Sequence, residues 1–255
     1  MLELFLDECR VRVVFLRRRW WDQSLYLVTM AVTFCFFYVS GLDASGGSAV
    51  FKAGFAAYLV GYVLWITVFS VFQSVSGTLD YERAGALITI LTSPYGVQKI
   101  LLVRSIVTCL YQAVMIVPMC ALMVLFTRIH IHLAPVMIVP LVSVLIAAVG
   151  FGYIMGAVQL VVKEMSYTAN VCQFLLIMGI MGPIERLGKW ALALSIIVPG
   201  APGTAAIRFI TRNQGLPPMA LWLAIANALL YMGVGIYIFR KAEQKARRVG
   251  PVFEQ

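Results

Sequence analysis

The sequence predicts an all-α integral membrane protein with about six transmembrane helices. Three observations carry this. Of the 255 residues, 62% are hydrophobic and only 12% charged, whereas a soluble domain carries roughly 25% charge. Mean hydropathy is +0.91. The apolar residues also gather into separate runs, most of them near the ~20 residues that a spanning helix needs.

The first 24 residues predict an interfacial amphipathic helix. Leu2, Phe5, Leu6, Cys9, Val13, Leu16 and Trp20 recur every three or four positions, which is one helical face. Asp7, Glu8, Arg10, Arg12, Arg17, Arg18 and Arg19 fall largely elsewhere. Trp20 and Trp21 suit the headgroup level of a bilayer. The charged stretch is too long for an ordinary signal-peptide n-region, so the run that follows reads as a span retained in the protein.

Residues 25–240 predict the transmembrane domain, with spans at Leu25–Leu42, Ala53–Gln73, Leu101–Phe126, Pro135–Val162, Thr168–Met181 and Met219–Phe239. Thr168–Met181 is short for a full crossing. Gly152 and Gly156 form a small-xxx-small pattern that permits close helix approach. Residues 241–255 read as a basic cytoplasmic tail near anionic lipid.

Charge sets the orientation. With the N-terminus inside, only Lys52, Arg128, Arg186, Lys189, Arg208 and Arg212 of the 20 Lys and Arg lie in outer segments. This bias places both termini in the cytoplasm. Arg104, just inside the third span, is expected to snorkel to the inner surface. The net charge of +9 therefore reads as topology and not as a nucleic-acid surface.

Motifs for chemistry are missing from the sequence. It has no GxxxxGK[ST], GxSxG, HExxH or CxxC run. The spans as drawn contain no Asp or Glu, while ion-coupled carriers use an ionisable group at depth. His130 and His132, the two histidines, have no carboxylate or cysteine beside them and read as a polar outer loop. The five cysteines read as small buried hydrophobes.

The segment between the second and third spans is the most informative. It runs from Asp80 through Glu82-Arg83-Ala84-Gly85-Ala86-Leu87 to Leu91-Thr92-Ser93-Pro94-Tyr95. Charge opens it, apolar residues continue it, and the residue before Pro94 avoids helical geometry, so a short helix ends there. Leu87 and Leu91 stand one turn apart on one surface. Later, Gly182, Pro183, Gly188, Pro199, Gly200 and Pro202 interrupt the chain repeatedly, and broken backbone at membrane depth must be covered or line a wet cavity.

The segment 82–94 resembles the coupling-helix signature of bacterial ABC type-2 permeases. Glu82, Gly85, Leu87, Leu91 and Pro94 match it, and Ala86 and Ile88 stand where the family has Thr and an acidic residue. The resemblance implies a membrane subunit of an ATP-driven exporter. Glu82, Arg83, Gly85, Leu87, Leu91, Pro94 and Glu164 would meet a separate ATPase, present in two copies. Arg12, Leu16, Arg17 and Trp20 would belong to the interfacial helix. Pro183, Glu185 and Arg186 would lie at an exit gate within an outer re-entrant hairpin before the last span. No cofactor is implied in this chain, with ATP and Mg in the partner. The other implied partners are a second permease copy or paralogue and membrane lipid in the bacterial plasma membrane, with no nucleic acid and no catalysis by the chain itself. The cargo would be lipophilic, amphipathic or lipid-linked, with lipid-linked polysaccharide as one class. An ATPase-independent carrier or channel is the competing reading, and a lipid-modifying enzyme ranks below it.

Overall fold

A computed structural model describes residues 2–44, 49–81, 96–127, 134–161, 166–182, 196–211, 215 and 217–249. The described residues are almost entirely helical. α1 (Leu2–Arg18) is followed by α2 (Trp20–Ala44), α3 (Ala49–Tyr81) and α4 (Val97–Thr127). A 3₁₀ turn at Pro135–Met137 leads into α5 (Ile138–Val161). Then come α6 (Ser166–Met181), α7 (Ala201–Thr211) and α8 (Pro218–Val249).

Five of the segments are long and apolar enough to cross a membrane: Trp20–Ser40, Ala57–Val75, Val97–Phe126, Pro135–Leu160 and Pro218–Lys245. The expected span Thr168–Met181 falls on α6, whose 16 residues reach about 24 Å, short of a ~30 Å hydrocarbon core. By contrast α3, with 33 residues, reaches about 50 Å and extends beyond such a core.

α3 and α5 are the inner helices, and α2, α4 and α8 present apolar faces outward. α5 packs most extensively on α8 and next on α3, while α4 packs on α3, α2 and α1. Two clusters mark the two ends of the bundle. Val75, Val97, Leu101, Tyr153, Ala157, Phe239 and Ala242 pack together with Leu4 at one end. Tyr38, Phe55, Leu59, Met123, Met137 and Ile210 belong to a larger cluster toward the other. The first described turn of the chain and the last turns of α8 therefore lie at the same end.

Glycine sets the closest approach. A Cβ on Gly150 would stand 2.5 Å from the amide nitrogen of Met232, and one on Gly235 would overlap the backbone of Gly150. Only glycine lets α5 and α8 touch backbone to backbone. Gly152 instead faces α3, with a Cβ there 2.9 Å from Val75 Cβ. The small-residue stretch of α5 thus serves two neighbours, and the tightest contact is made by Gly150.

Candidate functional site

Three regions concentrate polar chemistry. The first is the contact of α1 with α4. Nε and Nη2 of Arg104 donate to Glu8 Oε1 at 3.2 and 3.1 Å. One turn on, Arg12 Nη2 donates to Thr108 Oγ1 at 3.0 Å, and its guanidinium lies 5.5 Å from the centre of the Tyr111 ring. The Tyr111 hydroxyl donates to Gln23 Oε1 at 2.5 Å. Glu8–Arg104 and Arg12–Thr108 share one sequence offset, so the two helices run side by side in the same direction. Burial lowers the Arg12 pKa from its ordinary value, with Tyr111 and Glu8 opposing the shift. Arginine remains charged throughout the physiological range.

The contact adds to what the sequence predicts. Arg104, expected to snorkel toward the inner surface, meets a carboxylate that α1 supplies. The protein-facing side of α1 also holds Glu8, Arg12 and Leu16, while Leu6, Val13, Val14 and Trp20 are exposed. Glu8 and Arg12 turn toward α4, while Asp7, Arg10, Arg18 and the apolar Leu6, Val13 and Val14 are exposed. Arg17 is exposed and forms part of the basic last turn. The helix bends at Arg19, whose amide still donates to Phe15 O at 2.9 Å. Trp20 and Trp21 then stack with ring centres 4.2 Å apart.

The second region is the break before α7. Gly200 has φ +78°, which favours glycine. Asn227 of α8 holds the turn. Its Oδ1 accepts from Gly200 N at 3.0 Å, and its Nδ2 donates to Ile196 O at 3.1 Å and Val198 O at 3.4 Å. One turn further along α8, the Tyr231 hydroxyl donates to Ile197 O. Asn227 stands nine residues past Pro218, about 13 Å along the helix axis. The broken backbone is therefore packed against the flank of α8, well inside its apolar stretch. Gly203 lets α7 close on α5, since a Cβ there would stand 2.5 Å from Val144 Cγ2.

Arg208 corrects the charge map. Placed among outer charges by the sequence pattern, it is only 3% exposed on α7, and its Nη1 donates to Ile180 O at 2.8 Å. It is thus an internal cation and not a topology marker.

The third region is the basic end of the bundle, where α3 ends at Tyr81 and α4 begins at Val97. Lys99, Arg240, Lys241 and Lys245 are exposed there. The coupling candidates Glu82, Arg83, Gly85, Leu87, Leu91, Pro94 and Glu164 lie outside the described residues, as do Pro183, Glu185, Arg186, His130 and His132. Among the described residues, no group of three or more His, Cys, Asp or Glu is placed to hold a metal.

Sequence reasoning missed Glu8 as the partner of Arg104, and it missed the roles of Asn227 and Tyr231. A signal for Asn227 was present: it is the one carboxamide in the apolar run Met219–Phe239, and such a group in lipid seeks a partner. No known protein family, characterised protein or solved structure matches this chain.

Proposed function

We propose that this chain is the membrane subunit of an ATP-driven exporter, coupled through residues 82–94 to a separate ATPase. One observation carries the reading: a Glu-Arg-Ala-Gly-Ala-Leu…Leu-Thr-Ser-Pro run joins α3 to α4 at the end of the bundle where the first turn of α1, the last turns of α8 and exposed basic residues gather. The positive-inside bias assigns that end to the cytoplasm, where a nucleotide-hydrolysing partner is available. An inner loop with an apolar stripe is a docking surface for such a partner.

Two further features support it. α1 exposes the apolar Leu6, Val13 and Val14 together with the charged Asp7, Arg10, Arg17 and Arg18, a mixture that suits a helix at the interface. The turn at Val198–Gly200, held by α8 at about 13 Å from its start, suits a re-entrant hairpin whose returning arm is α7. On this reading α6 belongs to the sixth crossing. ATP binding would displace residues 82–94, and the spans would change from inward-facing to outward-facing. Such a shift requires the ATPase to bind the two states differently. Cargo would pass between two membrane subunits, and the apolar spans suit a lipophilic, amphipathic or lipid-linked molecule.

The test is Glu82→Ala in the purified complex. Expression and subunit association are expected to persist while transport-coupled ATP hydrolysis falls. Normal transport by that variant would remove Glu82 from the coupling role. Transport by the chain alone, with no ATPase, would favour the carrier or channel reading.

A further inference from the structure

One side of α8 changes character along its length. Trp222, Ala226, Leu230, Gly233 and Tyr237 follow one another at three or four positions and are all exposed, so they share one helical face. The same register continues through Arg240, Lys241 and Gln244, which are exposed as well. The face is therefore apolar up to Tyr237 and cationic from Arg240. From Pro218 to Phe239 the helix measures about 32 Å, which matches a ~30 Å hydrocarbon core. The cations begin where the hydrocarbon ends.

Both of the first two cations are held in place. Arg240 Nε donates to Gln98 Oε1 of α4 at 3.3 Å, which leaves its Nη groups at the surface. The Lys241 ammonium lies 4.7 Å from the centre of the Tyr237 ring. Lys245 is exposed one turn beyond Lys241, and like charges at that spacing repel. Glu243 is the one acid in α8, and it is turned about 200° round the helix from Lys241. On the apolar side of the boundary, a Cβ on Gly233 would meet nothing within 4 Å. The face is thus notched between Leu230 and Tyr237.

We propose that this face of α8 binds one anionic phospholipid, with its phosphate between Arg240 and Lys241 and an acyl chain along Gly233 and Leu230. Complementarity identifies the occupant. A phospholipid presents an apolar chain and then an anionic head, in the order in which the helix presents Gly233 and then Arg240. A phosphate takes up the Nη donors of Arg240 and relieves the repulsion between Lys241 and Lys245. A zwitterionic lipid brings its own cation with the phosphate and cancels no net charge. Because Gln98 and Tyr237 already restrain the two cations, binding costs less side-chain freedom. That restraint separates the site from the diffuse attraction of any basic surface to an anionic leaflet. The site stands on the membrane character of the chain and is independent of its coupling to an ATPase.

The experiment uses the full chain in phosphatidylcholine nanodiscs containing a minority of phosphatidylglycerol with a photoactivatable group in one acyl chain. Irradiation and peptide mapping then locate the adduct. It is expected on the α8 peptide that holds Leu230–Tyr237, and the matching phosphatidylcholine probe is expected to label that peptide far less. Arg240→Gln with Lys241→Gln should cut the adduct about tenfold or more. Arg10→Gln with Arg18→Gln removes the same charge from exposed positions of α1 and should leave the adduct unchanged. Gly233→Trp keeps every charge, fills the notch and should reduce the adduct severalfold. All of these positions are exposed, so the packed side of α8 is left intact. Equal labelling by the two probes would overturn the site, as would equal loss in the two double variants. Efficient disulfide formation between two copies carrying Gly233→Cys, with no lipid adduct on this face, would assign it to a second copy and also overturn the proposal.

Discussion

The α5–α8 contact and the α1–α4 contact join helices by opposite means. α5 and α8 meet through missing side chains: at Gly150 and Gly235 there is no room for a Cβ. α1 and α4 meet through long side chains, with Arg104 reaching Glu8 and Arg12 reaching Thr108. The first contact has one geometry and fails if either helix shifts. The second spans its gap with flexible stems, which can follow a moving helix. A bundle with both kinds has a body joined backbone to backbone, α5 with α8, and an arm, α1 with α4, joined through side chains. The segment 82–95 enters the arm.

The sharpest break of this comparison is Gly235→Val or Gly150→Val. Each forces side-chain atoms into backbone, an overpacking that costs about 1–3 kcal/mol or more. Either variant is expected to lose most of its monodisperse yield by size-exclusion chromatography, while Gly233→Val, which faces open space on the same helix, keeps it. Asn227→Leu comes next. It strips partners from the Gly200 amide and the Ile196 and Val198 carbonyls, and at roughly 1–3 kcal/mol for an unsatisfied buried group it should lower the melting temperature clearly. The arm is expected to respond less. Arg104→Gln removes the charge from a partly buried pair and should cost about 1 kcal/mol, with faster proteolysis of α1 as the readout. The smallest effect belongs to Arg10→Ala. The Arg10–Asp7 pair is 3.8 Å long and exposed, and its loss should stay within about 0.5 kcal/mol by thermal melting. A reversed order, with the charged contact outweighing the glycine contact, would dissolve the distinction between body and arm.

The sequence reveals these two regions unequally. Spans are legible because lipid demands long apolar runs whatever the tertiary arrangement. The break at Val198–Gly200 is legible because proline and glycine act locally. Pairings across the chain are not, since nothing near Arg104 in sequence announces a carboxylate 96 positions earlier. The face of α1 is also ambiguous from periodicity, which finds an apolar stripe without saying whether protein or lipid covers it. Here Leu6 and Val13 of that stripe are exposed while Glu8 is covered. Gly152 and Gly156 announced a close contact, but a pattern of small residues does not name its neighbour, and Gly150 makes the tightest one. The coupling segment is legible only through its resemblance to a family signature, so its role rests on experiment.

The most direct test places a photo-crosslinking amino acid at Leu91, irradiates intact cells and identifies the adduct by peptide sequencing. The account predicts a covalent adduct with a separate polypeptide that carries a GxxxxGK[ST] nucleotide-binding run. Adducts confined to lipid, or to this chain itself, would contradict it.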